Sequence, residues 1–145
     1  MIITLIIIIV FRKADDAMIK HSKQRDCIQE FLMTRQDHPT AETVYMNIRR
    51  DFPRISLATV YRNLSLLADI GEIQKISTPD GPDRFDARIE PHVHFSCDRC
   101  GNVIDLEMED ISYLDEIAGK SFSGRVQGHS ILFHGICPEC MESGT

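Results

Sequence analysis

Tryptophan is absent and aromatic residues make up only 7% of the 145-residue chain, which argues against a large aromatic-lined cofactor pocket. Glycine (8) and proline (6) are too sparse for a collagen-like chain. A content of 43% hydrophobic and 26% charged residues belongs to a globular protein rather than a disordered one. Basic residues are scarce in one half. Residues 89–145 hold 3 Lys/Arg against 10 Asp/Glu, whereas residues 1–88 hold 13 against 12, for a net charge of −6. The acidic half is a poor surface for nucleic acid or anionic lipid and a good one for cations; the near-neutral half can still carry a basic face. Long hydrophobic runs are also lacking. Met1 to Phe11 is apolar and rich in β-branched residues, but a bilayer span needs about 20 residues. Its charges, Arg12 and Lys13, follow the run, and no Ala-x-Ala site comes after them, so it is not built as a signal peptide. Residues 1–17 read as an extension of unknown role: a leader ahead of a start at Met18, a packing segment, or a membrane or targeting segment. A soluble, cytoplasmic protein with no membrane partner is expected.

From Ser22 the pattern becomes one of short amphipathic helices. Ser22, Thr40 and Ser56 are each suited to cap a helix. Their apolar positions are Cys27, Ile28, Phe31 and Leu32; Ala41, Val44, Tyr45 and Ile48; and Leu57, Val60, Tyr61, Leu64, Leu67 and Ala68. Cys27 reads as a small buried hydrophobe. Pro53 ends the second helix and Gly71 the third. Three short, closely linked helices resemble a helix-turn-helix core. Strands at Ile73–Ser77 and Arg84–Ala87 follow, joined by the turn Thr78-Pro79-Asp80-Gly81-Pro82-Asp83, which makes the pair a wing. Ala87 to Pro91 reads as a hinge. Beyond it, strands are expected at His92–Ser96, Val103–Met108 and Val126–Phe133, with a helix at Ile111–Ser121. The fold class is α+β, with a winged-helix domain at 18–88 and an α/β domain at 89–145.

Two Cys-x-x-Cys knuckles, Cys97/Cys100 and Cys137/Cys140, supply four sulfurs for a tetrahedral Zn²⁺. The alternative is a pair of disulfides or a redox couple, which a reducing cytosol disfavours. His92 and His94 share one face of a strand. If the first knuckle turns an antiparallel hairpin, Cys97 opposes Asn102 and the same register sets His94 opposite Asp105. Two imidazoles and a carboxylate then converge, a set that suits Fe²⁺, Mn²⁺ or Zn²⁺ with open positions. Thr59, Arg62 and Asn63 lie off the apolar stripe of the third helix, where Arg and Asn can read base edges. Arg49, Arg50, Arg54 and Lys75 add charge for the phosphates.

The segments His38-Pro39-Thr40-Ala41-Glu42, Ser56 through Leu64, and His92 through Gly101 closely resemble the ferric uptake regulator family. The resemblance runs from about Lys20 to Cys140. It implies a homodimeric winged-helix repressor with a C-terminal dimerisation domain, bound to a double-stranded DNA operator when metal is present. It implies a regulatory Fe²⁺ or Mn²⁺ site at His38, Asp86, His92, His94 and Asp105, beside structural zinc at the four cysteines. It adds Tyr61 to the residues that meet DNA, although Tyr61 also fits the apolar stripe. The run Arg84-Phe85-Asp86 resembles the peroxide-sensing branch, since iron-sensing members usually carry Glu at position 86. That branch implies oxidation of His38 or His92 by hydrogen peroxide, with loss of metal and release of DNA. The protein is then consumed rather than turning over, so it is not an enzyme. His129 aligns with part of a further ion site whose companion here is Val93, so that site is not assigned; His134 reads as structural or surface. Rival readings are an iron- or zinc-responsive uptake regulator of the same family, and a small metalloenzyme or thiol oxidoreductase built on the same His and Cys pairs.

Overall fold

The computed structural model describes residues 22–144, so the expectations for residues 1–17 lie outside the described residues. Helix α1 (Lys23–Met33) begins where the Ser22 side chain accepts from the Arg25 N–H. Helices α2 (Ala41–Ile48) and α3 (Leu57–Asp69) begin in the same way at Thr40 and Ser56, which accept from Thr43 and Thr59. Each cap satisfies a backbone N–H that the helix cannot pair. The three helices close on one apolar core formed by Ile28, Leu32, Ala41, Val44, Ile48, Ile55, Val60, Leu64 and Leu67, with Ile73 and Phe85 beneath them. Cys27 sits at the margin of this core rather than inside it. It is half-buried, packed against the core from outside, with its Sγ 3.9 Å from Asp51 Oδ2. Gly71 carries φ +79°, the left-handed conformation that ends a helix without the cost of a Cβ.

Strands β1 (Gln74–Ile76) and β2 (Arg84–Asp86) pair antiparallel as the wing. They are shorter than the sequence pattern suggests. Phe85 is 1% exposed and anchors β2 to the helical core, which brings its neighbour Asp86 inward as well.

The C-terminal half is a three-stranded sheet in the order β4-β3-β5. The central strand β3 (Val93–Cys97) pairs antiparallel with β4 (Val103–Leu106) and parallel with β5 (Leu132–Gly135). His94 lies opposite Asp105, and the Cys97 N–H donates to the Asn102 carbonyl at 2.9 Å, so the knuckle turn sets the register as the spacing predicts. The turn closes on Gly101 at φ +75°. Helix α4 (Tyr113–Gly119) and the short α5 (Pro138–Glu142) complete the half. The strand expected at Val126–Phe133 is displaced to Leu132–Gly135. Its pairing partner is the stretch His94–Cys97 of β3, and the second knuckle holds the following residues beside the first.

The two halves are stabilised differently. Buried apolar residues in the C-terminal half are Val93, Cys97, Val103 and Cys137, while Ile104, Met108, Tyr113, Ile117, Phe122 and Phe133 are exposed. Such a half depends on its cysteine cluster, and on whatever covers its apolar face, far more than the helical half does.

Candidate metal centres and nucleic-acid interface

The five side chains His38, Asp86, His92, His94 and Asp105 converge between the halves, each offering one ligand atom within 4.8 Å of the others. They arrive from four places: the turn before α2, the end of the wing, the start of the central sheet and its neighbouring strand. Asp86 Oδ2 lies 3.2, 2.8 and 3.3 Å from the Nε2 atoms of His38, His92 and His94. Asp105 Oδ1 lies 2.9, 3.1 and 3.4 Å from the same three. All the donors therefore point at one small volume.

The outer contacts fix which ring atoms face that volume. His38 Nδ1 is 2.9 Å from the Val103 carbonyl, and His92 Nδ1 is 2.7 Å from the Glu90 carbonyl. A carbonyl only accepts, so each Nδ1 carries a proton and donates. Nε2 is left to face the cluster, as is usual for a metal-ligating histidine. His38 has φ +51°, a conformation that costs a non-glycine residue of order 1–3 kcal/mol and clusters at functional sites. Arg84 steadies it, with Nη1 donating to the His38 carbonyl at 3.3 Å and Nη2 to the Gly101 carbonyl at 2.9 Å.

The electrostatics fit a cation. Burial opposes charge on His38, but the hydrogen bond to Asp86 and the charges of Asp86 and Asp105 outweigh it and raise its pKa. Burial likewise pushes Asp86 up, yet hydrogen bonds from His38, His94 and the Arg88 N–H hold it well below the usual carboxylate range. Two carboxylates held beside three imidazoles are a mixed N/O set of the kind that suits Fe²⁺ or Mn²⁺.

The second cluster is Cys97, Cys100, Cys137 and Cys140, again within 4.8 Å, and none of the four is in a disulfide. The Cys137 N–H donates to Cys97 Sγ at 3.3 Å, and Cys100 Sγ lies 3.8 Å from Cys137 Sγ. N–H groups of Cys100 and Cys137 bring the Cys97 thiol down to about 6. Cys140 moves the other way, pushed up to about 12 by its hydrogen bond with Cys137, by burial and by the other thiols. The Cys97 thiolate forms readily while Cys100 and Cys140 resist, a conflict that a bound dication would remove. The donor set and its geometry fit structural Zn²⁺.

On α3, Val60, Leu64 and Leu67 face the core, whereas Tyr61 is 38% exposed and Arg62 is exposed beside it. Tyr61 therefore lies off the packed face, not within it. Arg62 Nη2 donates to Thr59 Oγ1 at 3.1 Å, and Asn63 Nδ2 donates to the Thr59 carbonyl at 3.1 Å, so Asn63 is turned toward its own helix. His129 pairs with Asp115 at 2.7 Å, and His134 with Asp98 at 3.1 Å, both away from the five-residue cluster. Arg84 and Arg88 touch the cluster from outside it. Their only sequence signal is position, two residues either side of Asp86. Among the described residues no helix is long and apolar enough to cross a membrane.

The chain is similar to known proteins in sequence and in fold. The peroxide-responsive repressor PerR of Staphylococcus epidermidis is 32% identical over 128 residues, covering 88% of this chain and 85% of its own. The Campylobacter jejuni peroxide stress regulator has 32% identity and a TM-score of 0.69 over 81% of this chain and 88% of its own. The Helicobacter pylori ferric uptake regulator Fur, a protein with three functional metal-binding sites, has 25% identity and a TM-score of 0.75 over 98% of this chain and 95% of its own. Residues 16–140 match the ferric uptake regulator family, and the chain belongs to that family.

Proposed function

We propose that this chain is a homodimeric, metal-activated transcriptional repressor that binds a double-stranded DNA operator and leaves it when hydrogen peroxide oxidises a histidine of its regulatory site. Residues 18–88 form the DNA-binding domain and residues 89–145 the dimerisation domain. Zn²⁺ at Cys97, Cys100, Cys137 and Cys140 is structural, and Fe²⁺ or Mn²⁺ at His38, Asp86, His92, His94 and Asp105 is regulatory. Thr59, Tyr61, Arg62 and Asn63 meet the DNA. The exposed apolar residues of the C-terminal half, Tyr113, Ile117 and Phe133 among them, are the surface that a second copy covers.

The observation that carries this reading is that the five ligands come from both sides of the hinge. His38 and Asp86 belong to the winged helix; His94 and Asp105 belong to the sheet. Drawing them together fixes the angle between the two domains, and in a dimer it fixes the spacing of two α3 helices. Fixing that geometry in advance lowers the entropic cost of binding a duplex.

Asp86 favours the peroxide-sensing branch over iron uptake. Fe²⁺ held by these five residues would supply the redox chemistry that cleaves the O–O bond of hydrogen peroxide. The imidazole of His38 or His92 gains one oxygen atom from the peroxide, and the other leaves as water. An oxidised ring donates poorly through Nε2, so the five-membered set is broken and the hinge is freed. Each molecule senses once and is not a turnover catalyst, and a cytoplasmic location follows from binding DNA.

The test uses duplexes selected from a random pool by the Mn²⁺ form. Both metal forms should bind them, and peroxide should release only the Fe²⁺ form, with one added oxygen on His38 or His92 by mass spectrometry. An Fe²⁺ form that keeps its DNA affinity and its histidine masses would instead be an iron-responsive uptake regulator.

A further inference from the structure

Arg88 lies in the hinge and contacts both carboxylates of the cluster, one through its backbone and one through its side chain. Its N–H donates to Asp86 Oδ1 at 2.9 Å. Its guanidinium Nη1 lies 3.7 Å from Asp105 Oδ2. In each carboxylate this is the outward oxygen. The inward ones, Asp86 Oδ2 and Asp105 Oδ1, face the three imidazoles at 2.8–3.4 Å.

A carboxylate can give a metal one oxygen or two, and the choice decides how many positions remain for anything else. A second oxygen already facing a cation or an N–H is the poorer donor, and orienting partners of this kind tune a metal site without touching the ion. A stabilising role is a weak alternative for Arg88. Its side chain is 46% exposed, and an exposed ion pair contributes little to folding. Placing a guanidinium beside a cation site also works against metal affinity, which is a reason to look for another benefit.

We propose that Arg88 is a positioning residue that keeps Asp86 and Asp105 as one-oxygen ligands, holding the regulatory ion at five protein donors and leaving a position free for a small peroxide. This rests on the five-residue cluster being the regulatory site. For Asp105 the effect acts through the side chain and can be removed by mutation; for Asp86 it acts through the backbone and survives.

The experiment uses the full chain with its zinc in place, titrated with Co²⁺. The visible bands of Co²⁺ weaken as its coordination number rises. Arg88→Met should bind Co²⁺ with the same stoichiometry but with bands several-fold weaker than the unmodified protein, because Asp105 becomes a two-oxygen ligand. It should also bind Mn²⁺ several-fold more tightly, since a repelling charge is lost and a donor gained. Loss of a merely supporting residue would weaken binding instead. Arg88→Lys, which restores a cation, should return both properties to those of the unmodified protein. Unchanged bands in Arg88→Met, or weaker Mn²⁺ binding, overturn the proposal alone. An unmodified protein that takes up no Co²⁺ beyond its zinc overturns the regulatory site and the proposal together.

Discussion

Replacing Asp86 with Asn tests the link between the wing and the switch most directly. The substitution keeps the shape of the side chain and removes its charge. In the structure Asp86 is 8% exposed and its Oδ2 approaches three imidazoles at 2.8, 3.2 and 3.3 Å. Among the described residues of the helical half, Asp86 is the carboxylate that joins the cluster. Losing even an outer partner of a metal ligand costs about 10- to 100-fold in metal affinity, or about 1.4–2.8 kcal/mol, and a direct anionic ligand sets that range as a lower bound. If DNA binding requires the metal-held hinge angle, linkage moves the metal concentration for half-maximal DNA binding by the same factor. The assay is fluorescence anisotropy of a labelled duplex over a Mn²⁺ titration at fixed salt, Mn²⁺ being chosen to avoid peroxide chemistry. Asp86→Glu restores the charge at greater reach and should keep the midpoint close to that of the unmodified protein. A midpoint unmoved in Asp86→Asn, or moved equally in Asn and Glu, refutes the reasoning, because the carboxylate charge would then have no part in activation.

Three further outcomes are expected. Cys97→Ser should lose zinc and leave the C-terminal half unfolded or monomeric, because zinc binding contributes folding free energy where little apolar surface is buried; metal analysis with sedimentation checks it, and an intact zinc-free dimer contradicts it. Arg62→Ala should cost about 1–3 kcal/mol on the selected duplex and little on random DNA, since a base contact carries that discrimination; equal losses on both would reduce Arg62 to a phosphate contact. The raised pKa of His38 sets a pH dependence in the metal-free protein. Its stabilising charge is fully present below the ordinary histidine value of 6.5 and is lost as pH rises through the higher folded value. The metal displaces that proton, so the rise in melting temperature on adding Mn²⁺ should grow with pH upward from 6.5, and calorimetry showing a flat or falling rise would contradict it.

Much of this architecture is legible in local chemistry. Ser22, Thr40 and Ser56 mark the three helix starts because a side-chain oxygen followed by an apolar stripe has few other uses. The pairing of His94 with Asp105 follows from counting outward from the knuckle turn, since an antiparallel register propagates without slip once its turn is fixed. His38 and Asp86 are different. His38 lies 67 residues from Asp105 in sequence, and no periodicity connects them; only resemblance to a family suggested that they meet. The position of β5 was illegible for a related reason. The run Val126–Phe133 reads as a strand, but where a parallel strand begins is set by its partner. Here Gly135 aligns with Cys97 while the second knuckle is held against the first. Arg88 carried no pattern at all, because its contacts depend on where two distant carboxylates come to rest.

The contrast between the two halves bears on how the proposed chemical event at one ring would act on the whole molecule. The helical half is closed by an apolar core running from Ile28 to Phe85, and Asp86, the neighbour of Phe85, joins that core to the five-residue cluster. The sheet half is held by β-pairing and by its cysteine cluster at the opposite end of β3. What lies between them is polar: carboxylates against imidazoles, Arg84 reaching the Gly101 carbonyl, Arg88 reaching Asp105. Apolar contacts respond weakly to the loss of one donor atom, whereas a junction of charged ligands responds strongly, because each charge is tolerated there only with its partners. Removing one imidazole from the set therefore weakens the joint without removing a contact from either core. In the proposed switch the domains would stay folded while their relative orientation is released, which a larger apolar interface between the halves would prevent.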